Sequence, residues 1–169
     1  MKTLPELLAL AVKISVNAHY GQFDKAGVPY IMHPLRVMGA CNTLEEKICG
    51  VMHDVIEDTD ITSDQLDHVH HFPSKIITSL GLLTHNKGVP YKDYIRGIKD
   101  DDVARIVKIM DLRDNSDLFR LHEVEEKHII LIKKYHWAMK HLRDESKYMT
   151  SPRWYQVYNI ISVIDSGGC

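Results

Sequence analysis

The sequence predicts an all-α protein, a compact helical bundle in one domain. Apolar residues recur at spacings of three and four along most of the chain. Helix-start signals precede these runs, and Gly- and Pro-bearing loops separate them. At 169 residues with 44% hydrophobic side chains, the chain is long enough to bury a real core.

The first helix opens on a capping box, Thr3 to Glu6, with Pro5 in its first turn. Leu4, Leu7, Leu8, Ala11, Ile14 and Ala18 give it one apolar face, and it ends near His19-Tyr20-Gly21. Residues 22–30 read as a loop from which Lys25 projects. Pro34 suits the first position of a second helix, with His33 as its cap-like entry residue. Leu35, Val37, Met38 and Ala40 continue it. A third helix is expected from Leu44 through Ile56, with Glu45 and Glu46 at its positive end.

Thr62 to Gln65 is another capping box and leads a short helix, Leu66 to Val69. His68, His70 and His71 read as its polar end. Pro73 starts a helix over Ser74 to Leu83, residues 84–90 form a loop, and Tyr91 opens the next helix. The run Val103 to Met110 has the β-branched content of a strand. Its setting between helices favours a buried helix. One long helix is expected from Glu123 to Leu142, apolar at Val124, Ile129, Ile130, Ile132, Trp137, Ala138 and Leu142. Ser151-Pro152-Arg153 starts a last helix carrying Trp154, Val157, Ile160, Ile161 and Ile164, before a frayed tail.

Composition narrows the function. A net charge of -2 gives no bulk attraction to nucleic acid or to an anionic membrane, so neither is expected as a partner. No apolar run is long enough to span a bilayer, and the N-terminus has no signal-peptide pattern. The three cysteines are odd in number and lack metal spacing, which fits a cytoplasmic protein. Cys41 and Cys49 read as core thiols.

The chemistry concentrates in Val51-Met52-His53-Asp54-Val55-Ile56-Glu57-Asp58-Thr59. As a helix, this stretch puts His53 and Glu57 on one face, and Asp54 and Asp58 on the adjoining one. Close acids and an imidazole half sunk in a core need a counter-charge, and a divalent cation is the simplest one. His33 before its helix and Asp111 after its apolar run complete a set: His33, His53, Asp54 and Asp111. Two imidazoles and two carboxylates suit Mn²⁺, Fe²⁺ or Mg²⁺ better than a closed structural zinc. Such a site activates water. Glu57, supported by Asp58, is placed to orient that water or move its proton. Lys25, Lys108 and Arg113 are cations suited to offsetting phosphate charge. Asn115 lies four residues beyond Asp111, on the same face.

The order His33, His53-Asp54, Asp111 resembles the HD superfamily of metal-dependent phosphohydrolases. The stretches from Ala18 to Pro34, His53 to Thr59 and Val107 to Asp111 are similar to the hydrolase domain of the RelA/SpoT family. The likeness covers nearly all of the chain. It implies a helical HD-domain bundle over residues 1–169 with no synthetase domain. It also implies a Mn²⁺ site and removal of the 3′ pyrophosphate from (p)ppGpp, the alarmone of the stringent response. By that resemblance His33, His53, Asp54 and Asp111 are the metal ligands and Glu57 and Asp58 the catalytic acids. Lys25 and Asn115 are then nucleotide contacts. One position departs from the pattern: many members carry a basic residue just before the loop lysine, where this chain has Asp24. An acid there would repel a polyphosphate. That keeps open another phosphorylated substrate, such as a deoxynucleotide or NADPH, and a nucleotide sensor without turnover.

Overall fold

The computed structural model describes residues 2–24, 26–120 and 123–143. Lys25 and the helix expected near 152–164 lie outside them. The helices are α1 (Leu4–Ala18), α2 (Met32–Ala40), α3 (Leu44–Met52), α4 (Val55–Asp58), α5 (Ser74–Leu83), α6 (Tyr91–Ile98), α7 (Asp102–Asn115) and α8 (Glu126–Leu142). A π-helical turn spans Gln65–Val69 and a 3₁₀ turn Leu118–Arg120. Among the described residues β-structure is limited to one bridge, Phe23 with Pro29, which pins the loop between α1 and α2. None of the described helices is long and apolar enough to cross a membrane.

The bundle is built around α3. It packs against α1, α2, α5 and α7, while α6 and α7 carry α8. Ile48, Cys49, Gly50, Val51 and Met52 are all buried. Gly50 allows the closest approach: a Cβ there would stand 3.2 Å from the Met38 Cα and 3.3 Å from the Cys41 sulfur. Its lack of a side chain lets α2 lie against α3, bringing the start of one helix to the end of the other. Ser15 Oγ donates to the Val51 carbonyl at 2.6 Å and ties α1 to the same end. Cys41 and Cys49 are core thiols, as expected. Burial pushes the Cys41 thiol up to about 12.

The Thr3–Glu6 box forms: the Glu6 carboxylate accepts from both the Thr3 backbone and hydroxyl. The Val103 run is helical and buried within α7. Three expectations are corrected. His33 is not the entry residue of α2; Ile31 caps it, and His33 and Pro34 sit inside the first turn, where a proline's missing N–H is harmless. The helix expected over 44–56 stops at Met52 and resumes at Val55. In an unbroken helix the Gly50 carbonyl would accept from the Asp54 N–H. Here the His53 ring lies against it, with Nδ1 at 2.9 Å. The helix expected from Glu123 begins at Glu126 and buries its C-terminal part, through Ala138, Met139 and Leu142. Val124, Ile129 and Ile130 are exposed.

Candidate metal centre

Three segments meet at one point: the first turn of α2, the break between α3 and α4, and the last turns of α7. They bring His33, His53, Asp54 and Asp111 together. The ligand atoms of His33, His53 and Asp54 lie within 4.8 Å of one another. The two Nε2 atoms are 3.2 Å apart. His53 Nε2 is 2.9 Å from Asp54 Oδ2. Asp111 Oδ1 completes the ring, 3.2 Å from His33 Nε2 and 3.7 Å from His53 Nε2. His33, His53 and Asp111 are buried, and Asp54 is partly so.

The outer hydrogen bonds fix how the rings face. His53 Nδ1 donates to the Gly50 carbonyl, and His33 Nδ1 lies 2.7 Å from Asp114 Oδ2. Asp114 is in turn gripped by Arg36, whose Nε and NH2 reach its two oxygens at 2.7 and 2.9 Å. With both Nδ1 protons committed outward, both Nε2 lone pairs point at the centre. Each can take up a proton or a cation. Burial disfavours protonating either ring, but the carboxylates outweigh it. Hydrogen bonds to Asp111 and Asp114 raise His33, and Asp54 and Asp111 hold His53 well above the usual histidine value.

The carboxylates shift the other way. Burial would raise Asp54, but the charge and hydrogen bond of His53 bring it to about 2. Burial likewise opposes ionising Asp111, and Lys108 beside it wins, holding it well below the carboxylate range. Lys108 Nζ is 2.8 Å from Asp111 Oδ2, and Asn115 Nδ2 donates to Asp111 Oδ1 at 2.5 Å. Nitrogen and oxygen acceptors facing one point, with their outer atoms bonded, are the donor set of a borderline divalent cation. The residues present fit such an ion.

The remaining candidates spread around this point. Tyr30, which the sequence reading passed over, donates to Asp54 Oδ2 at 2.6 Å and reaches Asp58 Oδ2 at 3.5 Å. Asp58 and Asp54 thus come together through a tyrosine. Burial and the Asp54 charge push the Asp58 carboxyl up. Glu57 is engaged elsewhere: the helix break separates it from His53, and its Oε2 accepts from the His85 N–H at 2.8 Å. Lys108 and Asn115 both contact Asp111 itself. Arg113 is exposed, two positions past Asp111 and so turned away from it by the helix. Asp114, Arg36 and Tyr30 were missed. Asp114 follows Asp111 at a spacing of three on α7, and Arg36 follows His33 at three on α2. Those spacings were the available signal.

No family model matches the chain. It is similar to the guanosine-3′,5′-bis(diphosphate) 3′-pyrophosphohydrolase of Borreliella burgdorferi, 36% identical over 86 residues, which is 46% of this chain and 13% of that protein. The Vibrio cholerae protein of the same name is 38% identical over 80 residues, 44% of this chain and 11% of that one. The Haemophilus influenzae protein is 44% identical over 57 residues, 31% and 8% of the two chains. The matched stretch therefore spans about a tenth of these relatives' length. A solved structure described as a metazoan ortholog of SpoT, which hydrolyses ppGpp and plays a role in starvation responses, superposes with a TM-score of 0.67. It is 16% identical and covers 95% of this chain and 96% of its own. A helical bundle closed around paired histidines and aspartates is an HD-type fold. Within that class, sequence and fold together liken the chain to the hydrolase domain of the RelA/SpoT proteins.

Proposed function

We propose that this chain is a Mn²⁺-dependent guanosine-3′,5′-bis(diphosphate) 3′-pyrophosphohydrolase, acting in the cytoplasm as a single HD-type domain over residues 1–169. One observation carries the reading: two Nε2 lone pairs and two ionised carboxylates face a common point, with their outer atoms already bonded. His33, His53, Asp54 and Asp111 would hold the ion. When bound, it lowers the pKa of coordinated water and draws charge from a phosphoryl oxygen.

The chain's own groups account for the rest. Asp58, its carboxyl raised and its Oδ2 within reach of Tyr30, is suited to take a proton from water. Tyr30 keeps its own proton, because burial and Asp54 push the phenol far up. Its role is to hold Asp54 and Asp58 in one orientation. Glu57, held by the His85 N–H, is the other proposed catalytic acid. Lys25, Lys108, Asn115 and Arg113 are the proposed substrate contacts. Of these Lys108 and Asn115 act first on Asp111, to which both are bonded.

The test is an assay of purified protein with Mn²⁺ against a nucleotide panel, reading pyrophosphate and orthophosphate separately. Pyrophosphate from ppGpp is the expected result. A second reading keeps the centre and changes the substrate to another phosphorylated nucleotide; the acid at Asp24 favours it. Orthophosphate from a deoxynucleotide or NADPH, with ppGpp untouched, would select that reading. Binding of ppGpp without any product would make the domain a sensor.

A further inference from the structure

We infer that His19 is a positioning residue for the acidic end of this site, acting on Asp58 through Gln22. The inference rests on the hydrolase reading for its kinetic arm alone. His19 is the C-terminal cap of α1, far from the metal ligands in sequence, and its side chain is buried. A residue needed there for packing alone would be apolar. An imidazole brings two polar atoms into the core, where such atoms ordinarily take partners.

Its Nδ1 lies 2.8 Å from Gln22 Oε1. The Gln22 amide has its orientation fixed at the other end, where Nε2 donates to the Asp58 carbonyl at 3.2 Å. A carbonyl only accepts, so the amide nitrogen must face Asp58 and the amide oxygen must face His19. His19 therefore carries its proton on Nδ1. Its Nε2 is buried without a hydrogen-bond partner. Of the two ring nitrogens, Nδ1 is the one with a hydrogen-bond partner among the described residues.

The link ends where support is needed. Helix α4 is four residues long, too short to hold its own shape. Its last residue is Asp58, and the Gln22 amide anchors that residue's carbonyl. Gln22 is itself fixed from both sides: its N–H donates to the His19 carbonyl at 3.1 Å, and its carbonyl accepts from the Tyr30 N–H at 2.9 Å. The His19 ring also stands against the Tyr30 ring, with centroids 5.0 Å apart. One imidazole thus braces both the tyrosine that joins Asp54 to Asp58 and the turn that presents Asp58.

Four variants test this: His19→Ala, His19→Asn, Gln22→Ala and the double alanine variant. An asparagine amide nitrogen can stand near Nδ1 and restore the donor. His19→Ala should lower kcat about tenfold or more, as a misplaced group does, with KM and Mn²⁺ affinity within about twofold of wild type. His19→Asn should recover most of the rate. Gln22→Ala should reproduce the loss, and the double variant should lose no more than either single one. A rate unchanged in both alanine variants, or additive losses in the double one, would overturn the inference. If His19→Ala does not fold, Gln22→Ala and His19→Asn carry the same test. A second readout needs no turnover. Long-range nitrogen NMR on the metal-free protein should show His19 as the Nδ1–H tautomer, and amide exchange at 55–58 should quicken in Gln22→Ala. An Nε2–H tautomer overturns the link even if the enzyme is active. Wild type that leaves ppGpp intact sinks the hydrolase reading instead.

Discussion

At the scale of single residues, the proposed site separates groups that would hold an ion from groups that would act beside it. Asp54 faces His53 at 2.9 Å and accepts a hydrogen bond from the Tyr30 hydroxyl, so Asp54→Ala removes a carboxylate charge and strands two partners. It should abolish Mn²⁺ binding in calorimetry, along with turnover. Glu57 is bonded to the His85 N–H. Glu57→Ala should bind Mn²⁺ like wild type yet lose roughly a hundredfold in kcat, in the range of a general acid or base. Wild-type kcat would remove Glu57 from the chemistry. Asp24 is a different case. Its Oδ1 accepts from the Ala26 and Val28 N–H groups at 2.9 Å each, so it builds the turn as well as charging it. An arginine would break that turn and confuse the result. Asp24→Asn keeps an acceptor and removes the charge, and should lower KM for ppGpp roughly two- to fivefold. An unchanged or higher KM would show that the acid at this position does not oppose the substrate.

At the scale of elements, the four clustered residues were legible because their types are costly in the places they occupy. His33, His53, Asp54 and Asp111 sit beside apolar runs, and a buried charge needs a partner. The helix over 103–110 was legible from its neighbours despite its β-branched content. The break at His53-Asp54 was not, because periodicity continues across it; a side chain competing with the backbone for one carbonyl leaves no mark in spacing. Nor was the exposed face of α8, since an apolar pattern does not say how much of a helix its neighbours cover. The α2–α3 contact makes a prediction of its own. Replacing glycine by alanine inside a helix usually stabilises by about 0.5–1 kcal/mol. At Gly50 the new Cβ would meet backbone 3.2 Å away. Gly50→Ala should therefore destabilise by about 1–3 kcal/mol in urea unfolding, as overpacking does. A more stable variant would show that the helices part at no cost.

At the scale of the whole molecule, α1, α2, α3 and α7 converge on one small polar volume inside an apolar bundle. A cation bound there would join the three segments that carry His33, His53 with Asp54, and Asp111. A ligand present at a hundred times its Kd stabilises the native state by about 2.7 kcal/mol. For a chain of this size that corresponds to a rise in Tm of about 5–10 °C, reversed by a chelator. The Asp54→Ala variant should show no such rise. A wild-type Tm indifferent to Mn²⁺ would count against the centre itself.

The His53 ring occupies the carbonyl that would have continued its own helix. The residue whose Nε2 faces His33 and Asp54 is therefore also the one that ends α3. Grafting a His-Asp pair onto a straight designed helix would copy the letters and lose the kink. A transplant would need the glycine carbonyl three residues upstream as well, since the bend and the binding atom are set by a single imidazole.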